Sequence, residues 1–155
     1  IELPEKEYEG KSVGTTKYLS PEMLEKTPAL LTQADLFALG VTLFTMVNCF
    51  LPFGSAASSD RIYSLLKQRK YADFWEYQEE KRSEFFPLEA ERECSAEFRD
   101  LVNRMLEFDP KLRISMKEIK EHPWCQGRSM DQGRIASLIS EIGKRKRVEK
   151  NKAFQ

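Results

Sequence analysis

The feature that most constrains the fold is an apolar stretch that runs from Ala34 to Val47. Its large apolar residues fall on nearly every side of a helical wheel rather than on one stripe. A helix with that pattern is buried on all sides, in a protein core or in a membrane. Because the stretch is too short to span a bilayer and carries Asp35 at its start, it predicts a central core helix and no transmembrane segment.

The composition is that of a single globular domain with a real core. The chain has 155 residues, of which 41% are hydrophobic and 32% are charged, and a chain of this length buries enough surface for one core. Lysine plus arginine equal aspartate plus glutamate at 25 each, so the net charge gives no argument for nucleic-acid binding. The three cysteines are odd in number and widely spaced, which favours reduced thiols in the cytoplasm over a disulfide framework.

The sequence shows neither a secretory signal nor a set of metal ligands. The start of the chain is acidic, has no apolar run and lacks an initial methionine, so we expect no secretory signal and a chain that begins within a longer protein. His122 and Cys125 are too few to form a zinc site, and no metal site is predicted.

Periodicity and capping residues predict a mainly α chain in which helices alternate with loops. Residues 1–19 show no sustained period and predict a long irregular loop. The first predicted helix covers 20–26 and begins with Ser20 and Pro21, and the central helix is capped by Thr32 with Asp35 in its first turn. A third helix is predicted over 60–70, capped by Ser58 or Ser59, and a short one near 73–80. The last three begin at Ser95, at Ser115 with a capping box, and at Asp131, where the pattern is amphipathic. No strand is predicted.

Five short motifs resemble the later part of a protein kinase domain, in the same order and spacing. They are Gly14-Thr15-Thr16-Lys17-Tyr18-Leu19-Ser20-Pro21-Glu22, Asp35-Leu36-Phe37-Ala38-Leu39-Gly40-Val41, Pro52-Phe53, Leu106-Glu107-Phe108-Asp109-Pro110-Lys111-Leu112-Arg113 and His122-Pro123-Trp124. The first is similar to the Gly-Thr-x-x-Tyr-x-Ala-Pro-Glu end of an activation segment, with serine for the alanine, and the second to the start of the kinase F helix. Tyr18 favours a serine/threonine kinase, and the pattern is most similar to the calcium/calmodulin-dependent and AMP-activated group.

The resemblance implies the helical C-terminal lobe of a protein-kinase-like fold, truncated, with a partial kinase domain over 1–126 and an amphipathic basic tail over 127–155. The sequence has no counterpart of the N-terminal lobe, the catalytic loop or the metal-binding loop. Its one histidine is followed by proline, none of its aspartates is followed by Phe-Gly, and its glycines include no Gly-x-Gly. The resemblance therefore implies that ATP and Mg²⁺ are bound by a missing N-terminal half in the parent chain, and we expect the 155 residues alone to be inactive.

The resemblance also assigns roles to individual residues. Thr15 would hydrogen-bond the catalytic aspartate and help to place the substrate hydroxyl, and Asp35 would accept backbone N–H groups of the catalytic loop. Glu22 and Arg113 would form a buried salt bridge. The substrate-binding residues would be Gly14, Thr15, Thr16, Tyr18 and Leu19, and the structural residues Pro21, Glu22, Asp35, Gly40 and Arg113.

Departures from the family pattern leave the activation mechanism open. Lys11 occupies the position where activated kinases of this type often carry a phosphorylated threonine. Either Ser12 is the phosphosite, or the basic residue replaces the phosphate, or activation works differently. Thr45 stands where relatives that prefer basic substrates often have glutamate, so we expect no strong arginine preference.

Two functions are compatible with the sequence. The first is part of a serine/threonine kinase that transfers the γ-phosphate of ATP to a protein substrate, and the second is a non-catalytic helical protein-binding module, such as a pseudokinase remnant. The tail, which ends in Lys144-Arg145-Lys146-Arg147, predicts a calmodulin target, an autoinhibitory segment, a membrane-surface helix or simply a solvated helix end.

Overall fold

The structure is a computed structural model that divides into two compact units, residues 1–125 and 126–155. The residues it describes are 7–8, 14–86, 94–127, 133–134, 136–137 and 140. In the second unit the described residues 133–134, 136–137 and 140 are helical. The rest of the predicted basic tail lies outside the described residues.

The described part of the first unit is mainly α, which confirms the predicted fold class. Its helices are α1 (Pro21–Glu25), α2 (Leu31–Asn48), α3 (Arg61–Lys67), α4 (Tyr71–Phe85), α5 (Ala96–Met105) and α6 (Met116–Glu121), with 3-10 turns at Thr16–Tyr18 and Pro123–Gln126. Two strands of two residues, β1 (Glu7–Tyr8) and β2 (Ala29–Leu30), pair antiparallel. The sequence had predicted no strand, because two residues are too short to show an alternating pattern.

One side of α2 forms the centre of the core. Phe37, Val41 and Phe44 on this side have no solvent exposure. The Phe37 ring lies 6.0 Å from that of Tyr63 on α3, and the Phe44 ring lies 5.9 Å from that of Trp75 on α4, distances typical of favourable aromatic pairs. The same cluster includes Phe98, Val102 and Leu106 from α5 and the residue that follows it.

The opposite side of α2 is exposed in the described part of the chain, so the prediction of burial on all sides is wrong. Leu39, Met46 and Val47 are 44%, 74% and 47% exposed. The reason is that α3, α4 and α5 all contribute to the core on the side of Phe37 and Phe44. Among the described helices, α2 is the one with the length and apolar composition to cross a bilayer, a property that core helices of water-soluble proteins share.

The start of α2 also differs from the prediction. The helix begins at Leu31 with Leu30 as its N-cap, so Thr32 is not the cap and Asp35 lies beyond the first turn. Leu30 is the last residue of β2 and has an extended backbone. The chain therefore passes from the strand directly into the helix, without a polar capping residue.

Asp60 caps α3, where the sequence predicted Ser58 or Ser59. One carboxylate oxygen accepts the N–H groups of Ile62 and Tyr63 at 2.9 Å each, and the other accepts those of Gly54 and Ser55 at 3.1 Å each. The helix ends at Lys67 rather than at Lys70, because Arg69 adopts a left-handed backbone with φ 57°.

Helix α4 is nearly twice as long as the short helix predicted near 73–80. Its buried residues are Phe74, Trp75, Gln78 and Arg82, which recur at helical spacing. Two of the four are polar, so the apolar pattern ends at Trp75 although the buried face continues. Gln78 donates a hydrogen bond to the carbonyl of Pro52 at 2.8 Å, and Arg82 donates to Asn48.

The caps predicted for the last two helices are confirmed. Ser95 accepts the backbone N–H of Phe98 at 3.2 Å and begins α5. Ser115 and Glu118 form the predicted capping box at the start of α6, which satisfies two backbone N–H groups reciprocally.

We predict that Gly40→Ala destabilises the fold. A Cβ atom at position 40 would lie 2.8 Å from Cβ of Met105 and 3.1 Å from Cδ2 of Leu106, so α2 and α5 would have to separate. Overpacking costs about 1–3 kcal/mol and the better helix propensity of alanine offsets about 1 kcal/mol, so we expect a net loss of about 1 kcal/mol, and at most about 2 kcal/mol, in urea unfolding.

The control is Thr42→Ala, on the exposed side of the same helix, which should change the unfolding free energy by no more than about 0.5 kcal/mol. Equal effects of the two substitutions would contradict the close approach of α2 and α5 at Gly40.

Candidate functional site

The predicted substrate-binding residues lie together on an exposed turn. Gly14 has a φ of 139°, a conformation that side chains rarely adopt, and it is followed by Thr15 with an extended backbone. The N–H of Tyr18 donates to the carbonyl of Thr15 at 2.9 Å and closes the 3-10 turn, which packs against α2. We call residues 14–19 the substrate loop. Residues 14–18 of this loop are exposed, and Leu19 is partly buried.

The chain becomes buried directly after the substrate loop. Ser20 is 1% exposed and Pro21 occupies the first turn of α1, where its missing N–H group costs nothing. The hydroxyl of Ser20 has no hydrogen-bond partner in the part of the chain that the structure describes. This serine, which replaces the alanine of the family pattern, therefore buries a polar atom without compensation.

Glu22 and Arg113 form a buried, bidentate ion pair, although they are 91 residues apart in the sequence. Nη1 of Arg113 donates to Oε1 of Glu22 at 2.6 Å, and Nη2 donates to Oε2 at 2.9 Å. The side chain of Arg113 is 0% exposed and that of Glu22 is 4% exposed. Two parallel bonds of this kind fix orientation as well as distance.

The remaining N–H groups of Arg113 bind backbone carbonyls. Nε and Nη2 donate to the carbonyl of Glu107 at 3.1 and 3.0 Å, and Nη1 donates to that of Gln33 at 2.7 Å. With the two bonds to Glu22, all five guanidinium N–H groups are used. Its face lies over the Phe37 ring, 5.1 Å from the centroid. One side chain thus joins α1, the start of α2 and the segment after α5.

The other predicted structural residues occupy different surroundings. Gly40 is buried where α2 meets α5. Asp35 is exposed on α2, and its carboxylate forms no hydrogen bond or ion pair with another described residue. Thr45 turns back on its own helix and donates to the carbonyl of Val41 at 2.8 Å. The candidate phosphosite Ser12 lies outside the described residues.

Sequence reasoning missed Tyr63, which lies close to the ion pair. Its side chain is fully buried, and its hydroxyl donates to the carbonyl of Leu106 at 3.4 Å. Burial raises the pKa of Tyr63 above its usual range, and the charge of Glu22 adds to this while that of Arg113 opposes it. The residue falls beside the stripe of Ile62, Leu65 and Leu66, so the pattern of that helix alone gives no signal for it.

The described residues offer no set of ligands for a metal ion. No group of three or more histidine, cysteine, aspartate or glutamate side chains comes together among them. Mg²⁺, which the kinase resemblance implies, therefore has no fitting site in the described residues, and we derive no chemical step through it.

Comparisons with known proteins point to one family. A sequence model of the protein kinase domain matches residues 2–125. The chain is 32% identical over 135 residues to the serine/threonine-protein kinase cds1 of Schizosaccharomyces pombe, an alignment that covers 83% of this chain and 26% of that protein. It is 34% identical over 116 residues to the SNF-related serine/threonine-protein kinase of Homo sapiens, covering 75% and 13%. It is also 31% identical over 126 residues to the calcium/calmodulin-dependent protein kinase kinase cmkC of Emericella nidulans, covering 80% and 21%. The chain spans about a quarter or less of the length of these relatives.

We predict that Ser20→Ala leaves the fold as stable or makes it more stable. The substitution removes a buried hydroxyl that has no partner among the described residues, and such a group costs about 1–3 kcal/mol to bury. The matched control is Ser115→Ala, which removes the serine of the capping box and should cost about 1 kcal/mol. Urea unfolding of both variants checks the pair, and a loss for Ser20→Ala as large as that for Ser115→Ala would contradict the account.

Proposed function

This chain belongs to the protein kinase domain family, and we propose that it is the C-terminal half of the catalytic domain of a serine/threonine kinase. The whole protein would transfer the γ-phosphate of ATP to serine or threonine of a protein substrate. Residues 1–126 would supply the end of the activation segment, the substrate loop and the helical scaffold, and residues 127–155 a separate basic tail.

The observation that carries the proposal is the Glu22–Arg113 ion pair with the exposed substrate loop directly before it. A peptide-binding loop must hold its position while a substrate binds and leaves. The bidentate pair fixes Glu22, the third residue after the loop, and both partners are buried. The loop itself stays exposed from Gly14 to Tyr18, where a substrate chain can reach it.

In this proposal the substrate loop positions the acceptor hydroxyl. Thr15 is exposed at the first position of the turn and would hydrogen-bond the catalytic aspartate contributed by the N-terminal half. ATP and Mg²⁺ would likewise be bound by residues of that half, which would supply the groups that stabilise the transferring phosphoryl group.

The exposed side of α2 supports the idea that a further part of the domain packs here. Leu39, Met46 and Val47 are exposed apolar residues on the central helix, and exposed apolar surface of this kind is typical of an interface. Asp35 is also exposed on α2, and its carboxylate would accept N–H groups of the catalytic loop.

Regulation and location are also part of the proposal. Cys49, Cys94 and Cys125 are free thiols, which is consistent with a cytoplasmic protein. Phosphorylation of Ser12 stays a prediction. So does the role of the basic tail, which would bind calmodulin or inhibit the kinase of which it is part. A non-catalytic binding module is the second candidate, because the sequence contains neither a His-Arg-Asp nor an Asp-Phe-Gly motif.

We predict that purified 1–155 does not phosphorylate a peptide, because its sequence lacks the Gly-x-Gly, His-Arg-Asp and Asp-Phe-Gly motifs with which kinases hold ATP and Mg²⁺ and carry out catalysis, and that the longer parent protein does. Incorporation of labelled phosphate from ATP measures both. ATP-dependent phosphorylation by 1–155 alone would contradict the proposal that the N-terminal half binds ATP and supplies the catalytic groups. An inactive parent protein that still binds a protein partner through this half would favour the binding module.

A further inference from the structure

The substrate loop presents one positive charge, that of Lys17. The residue lies in the middle of the 3-10 turn Thr16–Tyr18 and is exposed. It forms no ion pair with any carboxylate in the described ranges of the chain. Its ammonium group is therefore free to meet a charge on a bound peptide.

The first two acidic residues that follow Lys17 in the sequence bind other groups. Both carboxylate oxygens of Glu22 bind Arg113. Glu25 accepts a hydrogen bond from the hydroxyl of Ser58 at 3.3 Å, and that hydroxyl accepts one from Lys67 at 2.8 Å. Neither carboxylate forms an ion pair with Lys17 among the described residues.

The other charges near the loop do not cancel it either. Lys26, which ends α1, is a second exposed cation. Asp35 is the nearest acid on α2, the helix against which the turn packs, and it makes no ion pair with Lys17 within the described residues. In the proposed function Asp35 is directed to the catalytic loop, and Lys17 is the charged side chain of the loop itself.

We propose that Lys17 is a specificity-determining residue that selects substrates with an anionic side chain close to the acceptor hydroxyl. This inference rests on the proposed function, which makes 14–19 the substrate loop. The anionic group is a carboxylate or a phosphoserine, since both offer an acceptor oxygen with negative charge. An exposed pair of opposite charges changes an equilibrium by up to about fivefold, so we expect a preference of that size.

The test uses the full-length parent protein and peptides with one acceptor serine. Aspartate is placed in turn at each of four positions on either side of the serine, with asparagine at the same position as the neutral isostere. We expect one position at which aspartate raises kcat/KM about fivefold over asparagine. Phosphoserine at that position, compared with serine, shows whether a primed peptide is preferred over an acidic one, and either preference supports the inference.

Variants assign the preference to Lys17. Lys17→Glu should reverse it, so that a lysine peptide becomes better than the aspartate peptide at the same position. Lys17→Met, which removes the charge and keeps an unbranched side chain, should abolish it. Lys26→Glu, an exposed lysine outside the loop, should leave it unchanged.

The outcomes separate the inference from the proposed function. Phosphorylation that shows no anionic preference, or a preference that persists in Lys17→Met, overturns the inference and leaves the kinase proposal standing. If the parent protein phosphorylates none of these peptides and no peptide of a randomised library, both the inference and the kinase proposal are overturned.

Discussion

The ion pair between Glu22 and Arg113 is the interaction on which the arrangement of the described helices depends. Two charges removed from water cost several kcal/mol each, and their attraction compensates only when the remaining donors and acceptors are also satisfied. Arg113 meets that condition, because its five N–H groups bind Glu22 and the carbonyls of Gln33 and Glu107. A shift of α1, α2 or the segment after α5 would leave a buried charge or carbonyl without its partner. The pair therefore fixes their relative positions.

One side of helix α2 is buried in the core, and the other side is exposed. Phe37, Val41 and Phe44 form the core with α3, α4 and α5, while Gly40 allows the backbone of α2 to come close to α5. Leu39 and Met46 on the other side are exposed. One helix thus stabilises the described part of the chain on one side and exposes an apolar surface on the other.

Much of the fold could be predicted where the signal is local or belongs to a specific motif. Ser95 and Ser115 were identified as caps because a cap depends on residues three positions apart. The partners Glu22 and Arg113, in contrast, could be chosen only through the family resemblance, since a contact across 91 residues leaves no local pattern.

The features that the sequence did not predict depend on tertiary contacts. Asp60 replaces the neighbouring serines as the cap because its second oxygen also binds the loop at Gly54 and Ser55. Helix α4 extends beyond its apolar residues because Arg82 is buried against Asn48. The burial of α2 was overestimated because composition reports how apolar a helix is and not which neighbours the chain provides.

The most direct test of the central claim is a double-mutant cycle on Glu22→Gln and Arg113→Gln, measured by urea unfolding. If the pair holds these segments together, each single substitution costs about 3–5 kcal/mol, and the double variant costs little more than either one, with a coupling energy of about 2 kcal/mol or more. The exposed pair of Arg104 and Glu118 is the reference, with an expected coupling below about 1 kcal/mol. Additive effects of the Glu22 and Arg113 substitutions, within about 0.5 kcal/mol, would contradict the account.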